Sequence, residues 1–333
     1  MDFPQLDYAD VTSGDPVRQS KFATELVKSF ETFGFASIIN HEVPEETIKE
    51  CFQYSRKFFA LPHETKMLSK HPQGIAPRGY SFVGQENLSS LTRADRNMDK
   101  YVETKESWDQ GAPNDIPNPT NWAATEAIPG FRDFMEKMFN TMHDFEERLL
   151  VSLAVGLGLP ATHFDLMHTD RVNEFRLLHY PEVKVKDILA PDTTQRTRAS
   201  EHTDFGSLTL LFQDSVGGLE VEAHDQPGTF YPIKAASPAM IINIGDSMQR
   251  WTNDRLRSTC HRVTVPPAMR KASEDGTDDT VIPSRYSIVF FGKPNRDVSL
   301  YPFPQFMKSG TKYPDITAGE YNHLRVITTQ PYV

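Results

Sequence analysis

The texture of the chain changes at Pro160, and that change constrains the fold more than any other feature. Ahead of it, apolar residues recur at helical spacing. Phe22, Leu26, Phe30 and Phe33 follow Asp15-Pro16, a capping residue and a proline suited to the first helical position. Gly34 stands where a helix end favours a residue free to take positive φ. The short apolar run Phe35–Asn40 reads as a strand. A second helix buries Ile48, Phe52, Phe58 and Phe59 and ends near Pro62. A third, over about residues 131–158, sets Phe131, Met135, Met138, Met142, Phe145 and Leu149 on one stripe, which reads as core packing. Residues 71–130 carry many Pro, Gly, Asn and Asp without a clear period, and so long an irregular stretch is expected to be functional or partly structured.

After Pro160 the signals are short strands: Glu174–Tyr180, Ser207–Phe212, Leu219–Glu222, Thr229–Ile233, Met240–Ile244, Cys260–Val265 and Arg285–Phe291. Turn residues such as Gly217-Gly218 and Pro227-Gly228 separate them. Helices first and strands later argue an antiparallel sheet system wrapped by helices, not an alternating βαβ fold. The polar, acidic stretch Ala272–Thr280 reads as a solvated loop. A chain of 333 residues suits one large core with an extension.

Composition then removes function classes. A net charge of -10 argues against a nucleic-acid groove as the main task. Cys51 and Cys260 are the 2 cysteines, too few for a disulfide framework or a multi-Cys zinc site, and that count fits a reducing compartment. Met1–Tyr8 has no basic region followed by an apolar core, and no apolar run approaches the roughly 20 residues of a membrane span. The expectation is a soluble, cytoplasmic protein acting on a small molecule, with its oligomeric state open.

Among 11 histidines, the pattern His-x-Asp occurs at His163/Asp165, His168/Asp170 and His202/Asp204. The first two lie in a connecting segment and read as surface or loop-capping residues. The third leads into the strand Ser207–Phe212. At the entry to an extended segment, residues i and i+2 point to one side, so His202 and Asp204 can reach one metal. His261 sits in another strand-like run, Cys260–Val265, and is either a core histidine or a third ligand. Two His and one carboxylate make the facial triad of non-haem Fe(II) oxygenases, which leaves positions open for a chelating co-substrate and O₂. Arg285 and Ser287 share one face of a strand that ends very apolar. A buried guanidinium needs a partner. Either an internal Asp or Glu supplies it, or the Arg fork and Ser hydroxyl receive a ligand carboxylate. Tyr180 is placed to add a phenol hydrogen bond.

The ordered string of motifs resembles the isopenicillin N synthase-like branch of the Fe(II)/2-oxoglutarate-dependent oxygenases. It runs through His202-Thr203-Asp204-Phe205-Gly206-Ser207, Gly217-Gly218-Leu219-Glu220, Asn243-Ile244-Gly245-Asp246, Trp251-Thr252-Asn253, Ser258-Thr259-Cys260-His261-Arg262-Val263 and Arg285-Tyr286-Ser287. The first half joins in with Phe33-Gly34-Phe35, Asn40-His41, Phe58-Phe59-Ala60-Leu61-Pro62, Arg78-Gly79-Tyr80 and Lys105-Glu106-Ser107. The likeness therefore covers nearly the whole chain. It implies a mainly β fold with flanking helices around a double-stranded β-helix (jelly-roll) core. Residues 1–125 would form an N-terminal helical and strand region with lid loops. Residues 126–333 would form a long helix plus the core, the whole being one compact unit. It implies Fe(II) on His202, Asp204 and His261, and 2-oxoglutarate with its distal carboxylate on Arg285 and Ser287, assisted by Tyr180. One position departs: plant relatives often have Asn two residues before that Tyr, where this chain has Leu178, a lineage difference and not a lost site.

The implied reaction uses O₂ and 2-oxoglutarate to oxidise a substrate C–H bond, releasing succinate and CO₂. Arg176 shares a strand face with Leu178 and Tyr180. It is either a substrate-binding cation or a structural arginine paired with Glu174 or Glu220. Phe205 is expected to stack on a flat ring and Phe291 to line the same cavity. Residues 78–90 and 98–108 are expected to form a lid. The substrate expectation is a small, planar, oxygenated metabolite, in a cavity more positive than the chain as a whole. Two rival readings are an iron oxidase of the isopenicillin N synthase type that does not use 2-oxoglutarate, and a non-catalytic jelly-roll binding module.

Overall fold

The computed structural model describes residues 4–72, 77–91, 101–189, 195–234, 237–274, 280–308 and 310–329. The first half contributes strands β1 (Gln5–Asp7), β2 (Phe35–Ile39), β3 (Gly79–Ser81) and β4 (Glu106–Gln110). Beyond Pro160 come β5 (Glu174–Tyr180), β6 (Ala199–His202), β7 (Leu208–Gln213), β8 (Leu219–Ala223), β9 (Gln226–Pro232), β10 (Met240–Ile244), β11 (His261–Val263) and β12 (Arg285–Phe291). An eight-stranded sheet runs β1-β2-β10-β7-β12-β5-β4-β3, and a four-stranded sheet runs β9-β8-β11-β6. Apart from the parallel pair β1/β2, the pairings within these two sheets are antiparallel. The core is the double-stranded β-helix that the motifs imply.

Alternation along β12 shows how one large sheet serves two cores. Ile288 and Phe290 join the layer beneath the helices, while Val289 joins the cluster between the two sheets. Both faces are buried, so the strand reads as a near-continuous apolar run. The helical layer is α1 (Pro16–Thr32), α2 (Glu45–Phe59) and α3 (Phe131–Gly156). Phe22, Leu26 and Phe30 of α1 and Met135, Met138, Met142 and Phe145 of α3 bury together there. The Asp15 side chain accepts from the Val17 backbone N–H at the start of α1. At its end Gly34 takes φ 68° and donates to Phe30 O at 3.1 Å.

The structure fills in and in places alters the sequence reading. The irregular stretch 71–130 is partly structured, as expected, and supplies β3 and β4, which extend the large sheet at one edge. Their signal is weak because three to five residues of mixed polarity, buried by tertiary contact, carry no readable alternation. The expected loop Ala272–Thr280 begins inside a helix, Pro267–Glu274, and residues 275–279 lie outside the described residues. Of the expected lid, residues 98–100 also lie outside them, and Glu106–Trp108 belong to β4. Finally, a helix near the C-terminus, α5 (Ala318–Thr329), packs beside the site described next. Among the described residues no helix is long and apolar enough to cross a membrane.

Candidate active site

The site forms where the chain crosses from the small sheet to the large one. His202 ends β6 and lies directly opposite His261, the first residue of β11. Asp204 sits in the turn that leads to β7. His202 and Asp204 converge as expected, with the difference that His202 closes a strand and Asp204 lies in the turn after it. Gly206 and Gly245 make that turn possible. A Cβ on Gly206 would stand 2.0 Å from Gly292 O, and one on Gly245 would stand 2.2 Å from Gly206 O. Asp246 of α4 (Asp246–Trp251) donates its backbone N–H to Asp204 O at 2.7 Å, which ties the turn to the helix start.

Asp204 Oδ1 is 3.9 Å from His202 Nε2 and 3.8 Å from His261 Nε2. The two imidazole centroids are 4.3 Å apart. His202 Nδ1 donates to Ser200 O at 2.8 Å and His261 Nδ1 to Thr259 O at 3.1 Å. Carbonyls only accept, so the neutral rings keep their protons on Nδ1 and turn the Nε2 lone pairs inward. Asp204 Oδ2 accepts from Thr209 Oγ1 and Asn243 Nδ2, each at 2.7 Å. Those two donors are a cross-strand pair of β7 and β10. Burial, then the neighbouring His261, pushes His202 down to about 3, so it is an unprotonated ligand near neutral pH. Burial alone would raise Asp204. His261, His202 and the bonds from Asn243 and Thr209 outweigh it and hold the carboxyl below its usual range. Two inward lone pairs and one carboxylate oxygen, their other atoms already engaged, are a donor set that fits a divalent iron.

The triad opens on an inner cavity between the sheets. Its wall is largely apolar, with Leu178, Leu211, Ile241 and Val289, and it also carries Tyr180, Arg285 and Ser287. Arg285 is 1% exposed. Its Nη2 donates to Gln213 Oε1 at 2.6 Å and its Nη1 to Ser287 Oγ at 3.3 Å. Among the described residues its Nε has no hydrogen-bond partner and no carboxylate comes within ion-pair range of it. The internal salt bridge weighed from sequence is absent among the described residues. Tyr180 presents its ring to the guanidinium, with 4.8 Å from Cζ to the centroid. A buried guanidinium in the cavity that also holds His202, Asp204 and His261 has the charge and the donors to take one end of a dicarboxylate.

An outer cavity meets the triad from the other side. Arg176, Phe205 and Phe291 line it with His202, Asp204, Glu86 and Lys293. Arg176 is a wall residue, yet its charge is taken. Its Nε pairs with Asp109, its cross-strand neighbour, and its Nη1 and Nη2 reach Glu86 at 3.1 and 2.9 Å. Of the partners expected from sequence, Glu174 Oε1 stands at 3.7 Å, and Glu220 instead binds Arg262. The expected surplus of positive charge is thereby corrected: buried carboxylates offset the arginine. Burial, with Glu174 and Glu86 nearby, pushes Asp109 up to about 7 against the pull of Arg176. Of the other His-x-Asp histidines, His168 is buried, with Nδ1 3.0 Å from Phe164 O and Nε2 3.0 Å from Ser207 Oγ, a structural role. Sequence reasoning assigned no role to Thr209, Asn243, Gln213, Glu86 or Asp109. Asn243 stood in a quoted motif, but its bond to Asp204 follows only from the β7/β10 register.

Two family models match parts of the chain: "non-haem dioxygenase in morphine synthesis N-terminal" over residues 3–129 and "2OG-Fe(II) oxygenase superfamily" over residues 172–294. The 2-oxoglutarate-dependent dioxygenase frbA of Dothideomycetidae sp. (strain 11243) is 41% identical over 99% of this chain and 97% of its own length. The proline hydroxylase buaE of Petromyces alliaceus is 40% identical over 99% of this chain and 100% of its own. The crystal structure of the Neurospora crassa thymine-7-hydroxylase with α-ketoglutarate and thymine superposes with a TM-score of 0.84 at 33% identity, covering 97% of this chain and 96% of that one.

Proposed function

The chain belongs to the 2-oxoglutarate–Fe(II) oxygenase superfamily and is a 2-oxoglutarate-dependent non-haem iron dioxygenase, and from that premise we propose how its residues divide the work. His202, Asp204 and His261 hold the iron. Arg285, with Ser287 and Tyr180, holds the distal carboxylate of 2-oxoglutarate. The observation that carries this reading is the single inner cavity that joins the triad to an arginine with an unused buried donor. When bound, the iron supplies the O₂ chemistry that couples decarboxylation of 2-oxoglutarate, to succinate and CO₂, with oxidation of a substrate C–H bond.

The protein's part is placement and exclusion of water. Ser200 O and Thr259 O fix which imidazole nitrogen faces the metal, and Thr209 with Asn243 fixes which carboxylate oxygen does. The apolar inner wall keeps water from the decarboxylating group and strengthens the Arg285–carboxylate attraction. The outer cavity takes the substrate, a small, planar, oxygenated metabolite held near Phe205 and Phe291. Arg176 shapes that cavity with its charge offset by Glu86 and Asp109. The Neurospora hydroxylase bound to thymine and the proline hydroxylase buaE support small ring substrates of this size. We place the activity in the cytoplasm, where the unpaired thiols of Cys51 and Cys260 stay reduced.

The test begins without substrate. Fe(II) and 2-oxoglutarate added anaerobically should give a weak visible charge-transfer band that Arg285→Ala loses at the same 2-oxoglutarate concentration. Iron bound with no band would remove Arg285 and Ser287 from their role. A metabolite screen that follows succinate release then finds the substrate. Oxidation of a substrate with no succinate formed would favour the oxidase alternative.

A further inference from the structure

The helix α5 does more than border the outer cavity; it grips the turn that carries the metal ligands. Val326 and Thr329 face the outer cavity, and the Asn87 backbone N–H donates to Thr329 O at 2.9 Å. One turn earlier, Arg325 Nη2 donates to Thr203 Oγ1 at 3.0 Å and lies 3.4 Å from Asp246 Oδ2. Thr203 is the residue between His202 and Asp204. Its hydroxyl in turn donates to Asp246 Oδ2 at 3.3 Å, and Tyr321 Oη donates to the same oxygen at 2.7 Å. The guanidinium also lies 4.8 Å from the ring centroid of Phe205, the residue after Asp204. Arg325 thus touches the residues on both sides of Asp204 and reaches the carboxylate of the residue whose backbone holds Asp204 O.

We propose that Arg325 is a positioning residue for the metal-binding turn, so that the C-terminal helix is part of the support of the iron site. This rests on His202, Asp204 and His261 being the metal ligands. The physical reason is that the turn lies outside both sheets and its middle side chain is only half-buried. Thr203 has no strand partner, and a turn with two ligands facing inward needs an outer contact to hold its third side chain. Arg325 supplies a charge-assisted hydrogen bond to that hydroxyl and an aromatic contact to Phe205. Outer contacts to metal ligands commonly shift metal affinity by about 10–100-fold.

Co(II) alone, titrated anaerobically into the full chain, reports the site by visible absorption without any turnover. Arg325→Met and Thr203→Val should each weaken Co(II) binding about tenfold or more, and the double variant should lose no more than either. Arg325→Lys, which keeps a donor, should recover most of the loss. Leu324→Ala, on the exposed face of the same helix, should match the wild type. Arg325→Met binding Co(II) as tightly as the wild type overturns the inference, and so do additive losses in the double variant. If Arg325→Met fails to fold, Thr203→Val decides by itself, because it leaves α5 intact. A wild type whose Co(II) binding is unaffected by His202→Ala overturns the metal reading and this inference with it. Wild-type binding that His202→Ala abolishes but Arg325→Met leaves unchanged overturns the inference alone.

Discussion

The inner cavity is framed by side chains on neighbouring strands, whereas the outer cavity is framed by segments far apart in the chain. Inside, His202 faces His261 across β6/β11, and Thr209 faces Asn243 across β7/β10. Arg285 and Ser287 stand on one face of β12. Outside, Glu86, Arg176, Lys293 and Thr329 come from four separate stretches of the sequence. The charges differ as well. Arg285 keeps an unused donor, while Arg176 is saturated by Glu86 and Asp109. A cation with no carboxylate partner among the described residues can take one from a ligand, and a completed ion network holds a wall in shape. On the proposed division, the inner cavity would serve the co-substrate common to the superfamily, and the outer one what is particular to this enzyme.

Four variants test that division. Asp204→Ala should bring succinate formation to background with the fold intact by circular dichroism; activity near that of the wild type would remove Asp204 from the metal site. Arg176→Met leaves two buried carboxylates without their main partner and should cost about 3–5 kcal/mol in chemical denaturation. Its 2-oxoglutarate requirement should stay put; a large rise there would erase the distinction between the cavities. Arg285→Ala should do the reverse. It should raise the half-saturating 2-oxoglutarate concentration by about ten- to a hundredfold, the worth of a hydrogen-bonded charge, with a smaller loss of stability than Arg176→Met because it strands no carboxylate. The smallest effect is a pH dependence. Asp109 titrates at about 7 in the fold against an ordinary 3.8, so the fold favours its protonated form. Stability from that proton is full below about pH 4 and is lost as pH rises through about 7. Asp109→Asn should flatten the fall in thermal midpoint that the wild type shows between about pH 5 and pH 8. Parallel curves would mean that Arg176 and its other carboxylates absorb the titration.

Legibility in the sequence followed the same division. β5, β10 and β12 match the strands read from sequence residue for residue: β10 and β12 carry near-continuous apolar runs, and β5 a Leu-Leu pair flanked by Phe and Tyr. β3 and β4 left none, since their burial comes from neighbours and not from their own pattern. The three-stretch motif set around His202, His261 and Arg285 was readable because each piece keeps its spacing within one strand or turn. Glu86 and Asp109 were not, because nothing local distinguishes a carboxylate that pairs with Arg176 from one in water.

What the sequence determined by itself is the chemistry available: nitrogen and oxygen ligands in a chain with 2 cysteines, a His-x-Asp step, a distant His, and an Arg-x-Ser face. The ordered motifs also determined the superfamily and with it the β-helix core. What only the tertiary structure decided is which of these groups remain available for a ligand. Register turned Thr209 and Asn243 onto one oxygen of Asp204 and left the other facing the histidines. Packing surrounded Arg176 with carboxylates and, among the described residues, left Arg285 without one. It also brought the helix α5 onto the turn that carries His202 and Asp204. A side chain's charge and donors are local properties, but whether they are already satisfied depends on neighbours that folding alone brings within about 3 Å.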